Sequence, residues 1–161
     1  MHYTILVNPI SGKGNGLLSI PQIKQIFDDA KLDYLIIQTE YPGHAIELTK
    51  QAAKDSDYVI SAGGDGTSNE IINGLMQVRK ETGKSPIMGV IPVGRGNDFA
   101  YGMGIPVGVE ESCKCIIDGK TRMTDIGIVF GDNFPDGRYF GNGVGVGFDA
   151  VVGFEAAKMK L

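Results

Sequence analysis

Histidine and cysteine are scarce. The chain has two of each: His2, His44, Cys113 and Cys115. A tetrahedral zinc centre needs more ligands than Cys113 and Cys115 can gather. A disulfide between helix positions i and i+2 would be badly strained, so two buried helix thiols in a reducing compartment are expected. No N-x-[ST] sequon and no signal peptide occurs. The longest uncharged run, FAYGMGIPVGV, is far short of the ~20 residues that span a membrane. These absences point to a cytoplasmic protein. Basic residues are not in excess, and the net charge is −4. Binding along a phosphate backbone needs a basic face, so nucleic acid is excluded as the main partner. There is also no Walker A loop: after Gly12 the second glycine of that motif would fall on Leu17.

Glycine is abundant instead. The 161 residues include 24 glycines, clustered at 12–16, 63–66, 94–108 and 141–147. Clusters of this kind mark turns where backbone approaches something closely. Between them, apolar strands alternate with helical patterns. Tyr3 to Asn8 predicts a strand. Ser19-Ile-Pro-Gln22 reads as a capping box opening a helix, with Ile20, Ile23, Ile26 and Ala30 at helical spacing. Strands are expected over 34–38, 57–62 and 87–91, and helices over 44–54, 68–79, 97–102 and 109–118. This order implies βαβ units, a mainly parallel sheet and helices on both faces, a Rossmann-like three-layer α/β domain. Ligands bind such sheets beyond the strand C-termini, at a topological switch point. Three glycine-rich loops belong at that edge: NPISGKGNG, AGGDGT and IPVGRGND.

After residue 120 the rhythm changes. Residues 121–130, the turn DNFPDG and RYFGNGVGVGF predict an antiparallel hairpin. The expected division is a nucleotide-binding α/β domain over 1–120 and, over 121–161, the first strands of a second, β-rich domain not completed by Leu161. A new element is expected to open within FEAAKMKL. Gly145-Val-Gly-Phe-Asp-Ala150 matches G-x-G-x-x-A, but without a clear helix or ribose acid after it.

Each loop carries chemistry. Ser11 and Lys13 can donate to phosphate oxygens, and Gly12 and Gly14 allow close approach. Gly63 and Gly64 can present N–H groups ahead of a helix N-terminus, a natural phosphate cradle. Thr67-Ser-Asn-Glu70 is either part of that cradle or a capping box. Asp65 is the anomaly, because a carboxylate among phosphates is repelled unless a cation or proton donor intervenes. It either holds Mg²⁺ or faces an acceptor hydroxyl as a base. Arg95 suits a phosphate. Asn97 and Asp98 stand at a helix start, as caps or as site residues. Asp125, in TDIGIV, is either a buried acid joining Asp65 and Asp98 or a solvated turn residue.

Together, NPISG, GGDGTSNEIINGL, PVGRGNDFA and TDIG resemble the catalytic domain of the diacylglycerol kinase and sphingosine kinase family, above all the bacterial soluble lipid kinases. GGDGT followed by N-E is shared with NAD kinases. The resemblance implies an ATP-dependent lipid kinase that transfers the γ-phosphoryl to a lipid hydroxyl at the inner face of the membrane. A kinase of a soluble substrate such as NAD and a non-catalytic nucleotide-binding module are the alternatives. It implies ATP contacts from Asn8, Pro9, Ile10, Ser11 and Gly12 in the first loop and from Thr39 after the second strand. Gly63 and Gly64 through Asp65, Gly66, Thr67, Ser68, Asn69 and Glu70 would follow, with Arg95 and Asn97 in the third loop. Asp65 and Asp98 are the implied catalytic acids. With Asp125 they match an aspartate, water and Mg²⁺ network. In the bacterial lipid kinases the base is implied to be a carboxylate late in the second domain. The family carries threonine where this chain has Arg95, and some members a basic residue where it has Tyr101.

Overall fold

The computed structural model of the chain describes residues 1–158. Strand β1 (His2–Val7) is buried on both faces along most of its length, as the middle of a parallel sheet requires. The strands β2 (Asp33–Gln38), β3 (Tyr58–Gly63) and β4 (Ile87–Pro92) all run parallel to it, in the order β2-β1-β3-β4. The chain passes from β1 outward to β2, then returns across β1 to β3. The switch point therefore lies between the C-terminal ends of β1 and β3.

Helices α1 (Ser11–Asp29), α2 (His44–Ala52) and α3 (Asp65–Thr82) connect these strands, and α4 (Asp98–Gly102) and α5 (Val109–Ile117) follow β4. Side chains alternate across the sheet with the strand period of two. Tyr3, Ile5, Val7, Ile60 and Ala62 face a core shared with Ile23 and Phe27 of α1 and Cys113 and Ile116 of α5. Leu6 and Val59 face the opposite core, with Ala45 and Leu48 of α2 and Ile71 and Leu75 of α3. Two layers of helix therefore enclose one parallel sheet, the three-layer α/β class expected. The hairpin β5 (Gly127–Gly131) and β6 (Phe134–Phe140) forms a separate antiparallel sheet. Helix α6 (Phe148–Lys158) follows it. It starts before FEAAKMKL, and residues 159–161 lie outside the described residues. The G-x-G-x-x-A segment thus does precede a helix, but behind an antiparallel hairpin rather than inside a βαβ unit.

Several boundaries and one burial expectation differ from the structure, each for a local reason. The Ser19 capping box does not form. A left-handed turn at Gly12, Lys13 and Gly14 (φ 60°, 62° and 100°) starts the regular helix earlier, and the Ser19 hydroxyl donates to Gly16 O inside it. Helix α3 begins at Asp65, three residues before the predicted start, so Thr67 and Glu70 lie past its N-cap, Gly64. Strand β5 begins only at Gly127, and a two-residue turn at Asp132 and Asn133 lets β6 take in the expected turn residues Phe134 to Gly137. Cys115 is half-buried rather than buried, because it turns away from the core that receives Cys113.

Helices α2 and α3 approach closely at Gly74, where an added Cβ would come within 2.6 Å of Thr49 Cβ and 3.0 Å of Ile46 O. Gly74→Ala is expected to destabilise the fold by about 1–3 kcal/mol through overpacking, against the ~1 kcal/mol gain that helix propensity alone predicts; urea denaturation measures the sign. Burial pushes the Cys113 thiol up to about 12. At about pH 8 iodoacetamide should therefore label Cys115 in the native protein and reach Cys113 only after unfolding, because the thiolate is the reactive form.

Candidate functional site at the sheet's C-terminal edge

The three glycine-rich loops meet at the switch point. Asn8 Nδ2 donates to Thr67 Oγ1 at 3.1 Å, joining the loop after β1 to the first turn of α3. The left-handed turn at Gly12 brings the first loop against the third: a Cβ at Gly12 would lie 2.2 Å from Val93 O. The third loop meets the second backbone to backbone, and a Cβ at Gly94 would stand 2.5 Å from Gly64 Cα. Only glycine permits that approach. Gly63 itself is the buried end of β3, packed on Thr67, so its missing side chain makes room for the fold rather than for a ligand. The first backbone bond of α3 runs from Ser68 N to Gly64 O. The N–H groups of Asp65, Gly66 and Thr67 precede it and have no partner within the helix, nor does a side chain cap it. An N-terminus of this kind attracts anions.

Two of the three predicted acids come together. Asp65 Oδ1 accepts the N–H of Phe99 at 2.8 Å and so caps α4 from a different element. Its Oδ2 and the Oδ2 of Asp98 stand 3.1 and 3.6 Å from the point where a Gly96 Cβ would be. Both carboxylates thus face one space that a side chain at 96 would fill. Neither is in an ion pair among the described residues. Asp125 does not join them as a buried strand residue: it is exposed and precedes β5. No group of three acidic, histidine or cysteine side chains is placed to hold a metal among the described residues. The apolar run that suggested burial, Ile126 to Val129, enters a hairpin open to solvent on one side. The pair Asp65 and Asp98 still offers hard oxygen donors without a cation, which suits Mg²⁺ held by one or two carboxylates plus phosphate.

Other predicted residues serve the scaffold. Glu70 accepts from Gly43 N at 2.8 Å and Ala45 N at 3.2 Å, so its carboxylate caps α2 rather than its own helix. Ser68 is buried, with its hydroxyl 3.0 Å from that of Ser61. Asn97, in the left-handed region at φ 59°, closes the third loop by accepting from Gly94 N at 2.9 Å and donating to Gly94 O at 3.0 Å. Arg95 is exposed and in no ion pair among the described residues. Thr39, half-buried, follows β2 and donates its N–H to Val7 O at 2.8 Å. Pro9 and Ser11 are half-buried, and Ile10 is exposed.

Sequence reasoning missed the hairpin's docking. Asn73 Oδ1 accepts Tyr139 N at 2.9 Å, while Asn73 Nδ2 and Asn69 Nδ2 both donate to Tyr139 O at 2.9 and 3.0 Å. Two asparagines one helical turn apart thus present to β6 the donor and acceptor that a neighbouring strand would. Their i, i+4 spacing was the available signal. A cleft of about 540 Å³ opens between α3 and the hairpin, lined by Asp65, Gly66, Asn69, Phe99 and Arg138 among others. Asn73 is buried. Asn73→Ala orphans the Tyr139 backbone N–H and should cost about 1–3 kcal/mol, read by denaturant unfolding, with Tyr139 N exchanging faster in hydrogen-exchange measurements.

Residues 2–129 match the diacylglycerol kinase catalytic domain. A diacylglycerol kinase of Bacillus subtilis (strain 168) is 38% identical over 145 residues, covering 89% of this chain and 45% of that relative. One of Staphylococcus carnosus (strain TM300) is 33% identical over 158 residues, covering 97% of this chain and 48% of that relative. A crystal structure described as a diacylglycerol kinase from Bacillus anthracis str. Sterne superposes with a TM-score of 0.69 at 29% identity, covering 78% of this chain and 44% of that one. This chain spans about half the length of the curated relatives it matches. By the family match over residues 2–129 and these relatives, the chain belongs to the diacylglycerol kinase catalytic-domain family, a family of lipid kinases.

Proposed function

We propose that this chain is the nucleotide-binding half of an ATP-dependent lipid kinase that phosphorylates a lipid hydroxyl, with diacylglycerol as the acceptor class. The observation that carries this reading is the meeting of three loops at the switch point with Asp65 and Asp98 facing one space. Open N–H groups at the start of α3 and the exposed Arg95 suit the nucleotide's phosphates. Asp65 and Asp98 would hold Mg²⁺, which would neutralise charge on the phosphates. In the transfer itself the lipid oxygen bonds to the γ-phosphorus, the bond to the β–γ bridging oxygen breaks, and ADP leaves. The hydroxyl proton passes to a carboxylate base in the rest of the protein. Asp65 is held by its bond from Phe99 N, so its second oxygen keeps one aim. Such positioning is the main contribution a protein makes to phosphoryl transfer.

The hairpin and α6 support the reading of a half. Phe130, Val146, Phe148 and Phe154 are all more than 60% exposed, an apolar surface that further protein would cover. No helix among the described residues is long and apolar enough to cross a membrane. In this reading the enzyme is cytoplasmic and meets its lipid at the membrane surface.

Asp65→Asn keeps an oxygen to cap α4 while removing the charge. In the full-length protein, radiolabelled ATP and diacylglycerol in mixed micelles should give a turnover lower by about 10²-fold or more, with nucleotide binding retained. Wild-type turnover in this variant, or no transfer to lipid by the wild type, would count against the proposal.

A further inference from the structure

The hairpin carries one cation into the cleft, at a position none of the family motifs includes. Arg138 lies on β6 with its guanidinium 5.2 Å from the centre of the Phe134 ring. Its Nη2 donates to Asn69 Oδ1 at 3.1 Å. Both holds are neutral, and Arg138 is in no ion pair among the described residues. A guanidinium has five N–H donors in a rigid fork. With one turned toward a neutral amide, its charge and remaining donors stay open to an anion. A carboxylate in place of Asn69 would have cancelled that charge. Arg138 is half-buried, where an ionic contact is worth more than at an exposed surface.

Its position is fixed by its neighbour. Tyr139 has both backbone polar groups bonded to Asn69 and Asn73 of α3, so β6 cannot slide along the helix without breaking them. Asp65 and Gly66, at the open start of α3, line the same cleft. The cation and the proposed phosphate site therefore share one space, one wall from the parallel-sheet domain and one from the hairpin.

We propose that Arg138 binds an oxygen of the nucleotide's terminal phosphoryl group, and that the Asn69 and Asn73 amides position it for that contact. The assignment rests on the phosphotransferase reading above. It makes the docked hairpin a part of the phosphate site and ties the grip on nucleotide to the presence of the transferred group.

The test is calorimetric titration of the full-length protein in Mg²⁺ with a non-hydrolysable ATP analogue and, separately, with ADP. Arg138→Gln is expected to weaken binding of the analogue about tenfold or more while ADP affinity stays within about twofold. Arg138→Lys should recover part of the loss, since lysine keeps the charge and loses the fork. If Arg138→Gln weakens both nucleotides equally, Arg138 acts only through the fold and the assignment falls. It also falls if the variant binds the analogue like the wild type, and in both cases the kinase reading survives. A wild-type protein that binds neither nucleotide removes that reading and the assignment together.

Discussion

Backbone groups at the ends and edges of elements must find partners, and in this protein helix α3 supplies them. Within ten residues its side chains satisfy four neighbouring elements. Asp65 takes the Phe99 N–H of α4, Glu70 takes two N–H groups at the start of α2, and Asn69 and Asn73 take both polar groups of Tyr139 in β6. Thr67 receives Asn8 from the loop after β1. Gly74 then lets α2 lie close alongside. An unpaired buried backbone group costs about as much as a lost hydrogen bond, so these bonds are strong constraints on how the elements sit around α3. The candidate site is the space they leave at its N-terminus.

That arrangement explains the opposed charges in one loop. The helix start and its open N–H groups favour an anion, while Asp65 and Asp98 add two negative charges within the same few ångströms. In an isolated cradle this would be repulsive. With the divalent cation and phosphate chain of the proposed function placed between them and the guanidinium of Arg138, the charges across the cleft would alternate in sign. Asp65 thus has two jobs in two different bonds: one oxygen organises α4 and the other faces the site. The family match makes a kinase of lipid the class to which this chemistry belongs.

The fold was legible from the sequence because its signal is local and repeated. Strands 3–8, 34–38, 57–62 and 87–91 were each found within a residue or two, since apolar runs between glycine turns have few other readings. The loops at the switch point followed from the same order. The helix starts at Ser19 and Thr67 were misplaced because capping boxes occur there as patterns, while backbone turns upstream had already started both helices. Nothing in the sequence near Glu70 signals that the start of α2 lies beside its carboxylate. Asp125 reads as a partner of the other acids from the apolar run after it and from motif order, but its strand begins two residues later.

The class, the parallel order of strand and helix and the three loops are legible in the sequence because periodicity and glycine-rich turns are properties of neighbours along the chain. The kinase family is legible through the resemblance of its motifs taken together. Tertiary packing alone settles which polar side chains open into the cleft and which bond to backbone. Asp65 and Asp98, far apart in sequence, face one space, and Arg138 meets Asn69 across 69 positions. A carboxylate can accept from a distant N–H or hold a cation, and an amide or a guanidinium can donate to a backbone carbonyl or to an anion; the choice is made by which elements pack side by side.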